Sequence, residues 1–210
     1  GLSLGDTLAG MHGAMGALLA LQARQITGKG QVVDSTIYES VLAMTESLVA
    51  DYDRLGHIRE RSGPTLPGIA PSNAYPCADG RDIIIGANQD TVFRRLCAAM
   101  DQPELADNPR FASHRARGEN AEDLDTIIAA WTARFPAAEV EQRMVDAGVP
   151  AGLTYTAADM MHDPHFAARQ SIVRVRDGQG RPLAMQNAFP RLMETPGGVD
   201  RTGPALGADT

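Results

Sequence analysis

Cysteine, aromatic residues and long apolar runs are all scarce in this sequence. Only two of the 210 residues are cysteine, Cys77 and Cys97. Neither belongs to a CxxC pair or stands near a histidine at metal-ligand spacing, which excludes a disulfide scaffold and a zinc module. Two buried thiols in a reducing, cytoplasmic setting fit best. No apolar stretch approaches the ~20 residues that span a bilayer, and no positively charged leader with a cleavage site opens the sequence given. The expectation is a soluble protein without a membrane partner. Acidic and basic residues are mixed along a chain of formal charge −7, so no basic stripe matches a phosphate backbone and nucleic acid is excluded as a partner. Also missing are the phosphate-binding loops GxGxxG and GxxxxGK(S/T), and the GxSxG elbow of serine hydrolases.

What remains is aliphatic material. With 43% hydrophobic residues and 5% aromatics, the chain can form one or two ordinary domains with aliphatic cores. It begins on Gly1 and ends on Gly203-Pro204-Ala205-Leu206-Gly207-Ala208-Asp209-Thr210, and both ends read as cuts through a longer protein.

Residues 7–24 are rich in Ala, Leu and Met and predict a helix, with Asp6 as the N-cap whose side chain accepts free N–H groups of the first turn. Ala9, Gly10, Gly13, Ala14, Gly16, Ala17 and Ala20 recur every three or four residues, so one face can approach another backbone closely. Thr27-Gly28-Lys29-Gly30 marks a turn, 31–36 alternates as a short strand, and a second helix is expected over 37–55. Gly63, Pro64, Pro67, Gly68 and Pro71 then interrupt regular structure and place a domain boundary.

Beyond it, 73–77 and 82–87 flank Asp79-Gly80 as a β-hairpin. Helices are expected at 91–100, 121–134 and 137–147, the last carrying Glu139 and Arg143 at i,i+4 and ending at Gly148-Val149-Pro150. A short helix near 156–161 and extended segments at 172–175 and 183–188 complete a small α+β module and a tail.

Few residues offer chemistry. His162-Asp163-Pro164-His165 places two imidazoles around a carboxylate, but the spacing, broken by proline, matches no common zinc site and reads as a loop with Asp163 starting a turn. No metal is expected. His12 follows Asp6 by about one and two-thirds helical turns, so the two point to different sides and His12 reads as a packing residue. Asp6 itself lies at a helix N-terminus, where partial positive charge and free N–H donors favour the ionised carboxylate. An ionised carboxylate can attack an activated acyl group. On physical grounds alone a plain helix cap remains the commoner role for such an aspartate.

Taken together, Gly5-Asp6-Thr7-Leu8-Ala9-Gly10-Met11-His12, Gly16-Ala17-Leu18-Leu19-Ala20-Leu21 and Thr27-Gly28-Lys29-Gly30-Gln31-Val32-Val33-Asp34 closely resemble the family III CoA-transferases, the carnitine/bile-acid/formyl/succinyl (CaiB/BaiF) group. Ala70-Pro71-Ser72-Asn73-Ala74-Tyr75-Pro76, Asp107-Asn108-Pro109-Arg110-Phe111, Gly148-Val149-Pro150-Ala151-Gly152, Asp163-Pro164-His165 and Pro204-Ala205-Leu206-Gly207 continue the match to the end of the chain. The resemblance is to the C-terminal half of a family member. It implies an α/β fold: part of a Rossmann-like large domain plus a small α+β domain, from an interlocked homodimer. Residues 1–60 would be a large-domain segment with the catalytic helix, 61–69 a linker, 70–165 the small domain, and 166–210 the return to the large domain.

The resemblance also implies that Asp6 is transiently acylated, first as a mixed anhydride and then as an aspartyl-CoA thioester. Coenzyme A and acyl-CoA would be substrates rather than tightly bound cofactors, and the second substrate a carboxylic acid. Two features depart from the wider pattern. Gly63-Pro64-Thr65-Leu66-Pro67-Gly68-Ile69 replaces the glycine run that serves the formyl branch as a mobile lid, which points to a succinyl-type donor. The half that supplies most CoA contacts in the family is absent from the sequence given, so the isolated fragment is expected to be inactive. An α-methylacyl-CoA racemase is the alternative within the fold, disfavoured because Thr7-Leu8-Ala9 rather than a glycine run follows Gly5-Asp6. A non-catalytic relic or assembly subunit, with Asp6 merely a helix cap, is the alternative outside catalysis.

Overall fold

In the computed structural model, residues 1–204 and 206–208 are described. Ala205, within the Pro204-Ala205-Leu206-Gly207 match, lies outside them. The chain divides into two compact units, Gly1–Arg61 and Ser62–Thr210.

The first unit is helical. Helix α1 spans Leu4–Thr27 and ends at Gly28, whose φ of 73° supplies the left-handed C-cap. The expected strand at 31–36 is absent: the segment pairs with no strand, because a ladder needs a partner edge that this unit does not contain. Instead, Ser35 Oγ donates to Ala9 O at 3.0 Å. The expected helix over 37–55 is two helices, α2 (Ile37–Leu42) and α3 (Leu48–Leu55). Between them Thr45 Oγ1 donates to Leu42 O and Glu46 takes φ 52°; a hydroxyl that bonds the backbone locally competes with helix continuation.

The small-residue face of α1 is used as its spacing predicts. A Cβ on Gly5 would stand 2.9 Å from Ile37 Cγ2, and one on Gly16 would stand 2.6 Å from Val33 Cγ1. Glycine at these two positions therefore lets α2 and the 31–36 segment lie against the helix backbone. No hydrophobic residue of this unit is buried, and Met11, Met15, Leu18, Leu19, Tyr38 and Val49 are among those left exposed.

The second unit carries the core. Strands β1 (Ser72–Pro76), β2 (Asp82–Gly86) and β3 (Ala151–Leu153) form an antiparallel sheet in that order. The first two are the expected hairpin, in register Ala74↔Ile84, with Gly80 at φ 77° in the turn. Period-two alternation buries Ile83 and Ile85 and exposes Asp82 and Ile84. On the buried side lie α4 (Asp90–Ala99), α6 (Ala121–Thr132) and α7 (Ala137–Asp146). Helical spacing brings Phe93, Leu96 and Cys97, then Leu124, Ile128 and Trp131, then Val140 and Met144 into that core.

A 3-10 turn at Pro103–Asp107 and helix α5 (His114–Glu119) connect α4 to α6; neither has a strong local signature. Helix α8 (Ala157–His162) has a complete capping box between Thr156 and Asp159, and α9 (Pro164–Ala168) follows. Strands β4 (Ile172–Arg176) and β5 (Pro182–Gln186) pair as a separate antiparallel hairpin.

Candidate functional site around Asp6

Asp6 is not the N-cap. Helix α1 starts three residues earlier than the composition suggests, with Ser3 at the cap position and Asp6 third in the first turn. Ser3 makes no side-chain capping bond. Its carbonyl instead accepts from the Thr7 hydroxyl at 3.0 Å and from the Thr7 N–H at 3.1 Å. The Leu4 N–H donates to Leu2 O, while the N–H groups of Gly5 and Asp6 find no acceptor within the described residues. Asp6 is solvent-exposed, so its carboxylate stands beside two unused donors at the positive end of a 24-residue helix. Gly5, which admits Ile37 of α2, fixes what lies on the other side of this first turn. Such an arrangement offers an accessible anionic nucleophile, with N–H donors free to receive negative charge on a carbonyl oxygen.

His12 lies further along α1 and faces elsewhere, in accord with its helical offset. It lines a cavity of about 190 Å³ with Asp34, Ser35, Thr36, Glu39, Ser40 and Ala43, a group that excludes Asp6. Its Nδ1 is buried without a hydrogen-bond partner. The sequence assigns this histidine to packing; Asp34 closes the Thr27–Asp34 match and Glu39 stands three residues after the Thr36 cap of α2, but neither carries a pattern that marks it as a neighbour of His12.

The histidines around Asp163 diverge. His162 Nδ1 is 2.7 Å from Ala158 O, and Asp163 caps α9, its Oδ1 accepting from the N–H groups of His165 and Phe166. Asp163 Oδ2 accepts from the Tyr155 hydroxyl at 2.6 Å. That bond, with the backbone donors, holds the Asp163 carboxyl below the usual carboxylate range and pushes the Tyr155 phenol up. Among the described residues no three His, Cys, Asp or Glu side chains gather as a metal site. The thiols are buried, and burial pushes Cys97 up to about 12 and raises Cys77, so both stay protonated and non-nucleophilic near neutrality. No helix among the described residues is long and apolar enough to cross a membrane.

With Gly5-Asp6 in the first turn of α1 and an α+β module later in the chain, comparison with known proteins is decisive about kinship. The model of CoA-transferase family III matches residues 1–210, and the chain belongs to that family. It is 58% identical over 207 residues to a succinyl-CoA–D-citramalate CoA-transferase of Chloroflexus aurantiacus, covering 99% of this chain and 52% of that protein. The succinyl-CoA–L-malate CoA-transferase beta subunit of the same organism is 35% identical over 210 residues, again covering 99% of this chain and 52% of that one. Among solved structures, a CaiB/BaiF family protein from Brucella suis superposes with a TM-score of 0.77 at 28% identity, over 97% of this chain and 52% of that one. The α/β class and the mixed helix-and-sheet architecture agree with that likeness. The chain spans about half the length of the relatives it matches.

Proposed function

We propose that the whole protein transfers CoA from an acyl-CoA donor, succinyl-CoA in the favoured reading, to a carboxylic acid, and that Asp6 is the residue acylated in turnover. The observation that carries this is the exposed Asp6 carboxylate in the first turn of α1, next to the unused N–H groups of Gly5 and Asp6. Names of the relatives support the donor: both Chloroflexus proteins are named for succinyl-CoA and a hydroxy-dicarboxylic acid.

In this mechanism an Asp6 oxygen attacks the thioester carbonyl, the C–S bond breaks, and CoA leaves as thiolate from a mixed anhydride. The thiolate attacks the aspartyl carbonyl, releasing the donor acid and leaving an aspartyl-CoA thioester. The acceptor carboxylate attacks the same carbonyl and expels the thiolate, which then attacks the new acyl group and regenerates the Asp6 carboxylate. Each tetrahedral intermediate carries an oxyanion, and first-turn N–H groups are suited to receive it.

Residues 1–60 and 166–210 would belong to the large domain and 70–165 to the small one, joined by 61–69. The protein would be a cytoplasmic homodimer; the apolar surface of Gly1–Arg61, which buries no hydrophobic side chain of its own, supports extensive coverage by further chain. The experiment is to incubate the full-length protein with succinyl-CoA, trap with hydroxylamine or borohydride, and map the modified residue by peptide mass spectrometry. Modification at Asp6 is expected. A label confined to another residue, or none under conditions of turnover, refutes the assignment. Sedimentation at micromolar concentration tests the dimer, and a monodisperse monomer counts against it.

A further inference from the structure

Residues 62–71 connect Arg61 to β1, and their glycines and prolines suggest a free loop. Their contacts say otherwise. Helix α5 carries Arg117, a guanidinium with none of its surface exposed. Its Nε donates to Ala70 O at 3.2 Å, its Nη1 to Phe111 O at 3.0 Å, and its Nη2 to Asn88 O and Asp90 Oδ1, both at 2.7 Å. The group also lies 4.6 Å from the centre of the Phe93 ring. Three carbonyls from three separate chain segments meet here, and a planar fork of five donors can serve them together where a single ammonium cannot.

The next residue tightens the same joint. A Cβ on Gly118 would stand 2.5 Å from Gly68 O and 3.0 Å from Gly68 C, so α5 touches the 66–69 turn backbone to backbone. That turn closes on itself through the Ile69 N–H to Leu66 O bond, and Pro71 O accepts from the Ala87 N–H. Residues 62–65 differ. Ser62 Oγ donates to Thr65 O, Thr65 Oγ1 donates to Ser62 O, and the Thr65 N–H points to Ser62 O as well. These bonds stay within the four-residue turn.

We infer that 66–71 is a fixed strap, clamped to the α+β module by Arg117 and Gly118, and that 62–65 is the flexible point in front of it. The strap moves with the module and cannot open and close by itself as a lid. This is independent of the reaction proposed above, since it concerns only how one segment is held.

The test uses the full-length protein, with hydrogen exchange followed by mass spectrometry and with two proteases. In the wild type the Ile69 amide, which donates to Leu66 O, exchanges as slowly as the ladder amides of β1, and the amides of Ser62 and Gly63, which have no acceptor among the described residues, exchange fast. Trypsin cleaves native protein after Arg61, while thermolysin, which cuts ahead of large aliphatic residues, leaves the bond before Ile69 intact. Gly118→Ala is the informative variant, because alanine improves the intrinsic helix propensity of α5 while its methyl displaces Gly68. It should raise exchange at Ile69 about tenfold and open the site before Ile69, with β1, β2 and α6 unchanged. Arg117→Lys should act in the same direction; if it fails to fold, Gly118→Ala decides alone. An Ile69 amide that exchanges like a free coil in the wild type, or that does not respond to Gly118→Ala, overturns the clamp. Equal acceleration throughout the module overturns it too, and resistance at Arg61 overturns the flexible point. Loss of transfer activity is not used as a readout, so failure of the proposed chemistry and failure of the clamp remain distinguishable.

Discussion

Replacing Asp6 by Asn separates a chemical role from a structural one. At its observed position the carboxylate caps nothing, since the cap residue is Ser3 and no side-chain capping bond is made. It is exposed, so no buried contact is lost. What the substitution removes is one negative charge from the first turn, worth about 0.3–1 kcal/mol against the helix dipole at a surface site. An amide of nearly the same shape leaves Gly5 against Ile37 undisturbed. Under the mechanism proposed above the chemical consequence is far larger, because the amide cannot form the anhydride. Loss of a covalent nucleophile costs on the order of 10⁴ in rate, or about 5.5 kcal/mol of barrier. The expected outcome is thus a folded protein, destabilised by less than ~1 kcal/mol, with transfer from succinyl-CoA to hydroxy-dicarboxylic acids reduced at least ~10⁴-fold. The assay is steady-state transfer by full-length wild type and variant, alongside urea unfolding of both. If Asp6→Asn keeps more than about a tenth of wild-type kcat, where a lost nucleophile leaves about a ten-thousandth, the covalent mechanism is wrong and Asp6 is only a first-turn acid.

Gly16→Ala should destabilise the protein although alanine favours a helix. The gain of about 1 kcal/mol in propensity is opposed by a Cβ 2.6 Å from Val33 Cγ1, which pushes the 31–36 segment off the helix and strains the Ser35 Oγ to Ala9 O bond; a raised urea midpoint contradicts the close packing. The Asp163 carboxyl is held low first by the Tyr155 hydroxyl, so it contributes stability above its unfolded pKa of about 3.9 that is lost as pH falls through the lower folded value. Tyr155→Phe should move the Asp163 titration, followed by carboxyl NMR, up toward the ordinary range, and an unchanged titration refutes the coupling. Cys97, buried and pushed up to about 12, should resist alkylation by iodoacetamide at neutral pH and react only in denaturant; rapid modification of the native protein counters its placement in the core.

How much of this was legible in the sequence depended on how local each cause is. The hairpin of β1 and β2 follows from Asp79-Gly80 and the alternation of Ile83 and Ile85, and α6 and α7 follow from apolar spacing and the Gly148-Val149-Pro150 stop, because turn chemistry and side-chain period act over a few residues. The Gly5-Asp6 and Thr27-Gly28-Lys29-Gly30 segments likewise identified the family without any coordinates. The start of α1 was misplaced, since Leu4 and Gly5 carry no sign of whether the helix has begun, and an acid suits the first turn as well as the cap.

Tertiary structure decided the rest. Residues 31–36 alternate like a strand but form no ladder, because a strand exists only with a partner edge. Val33 and Ser35 pack on α1 instead. Arg117 reads as one more charged residue in a short polar helix. Only the fold brings Ala70 and Asn88, 47 and 29 residues away, to it, since hydrogen bonds between segments tens of residues apart leave no periodic trace in the chain.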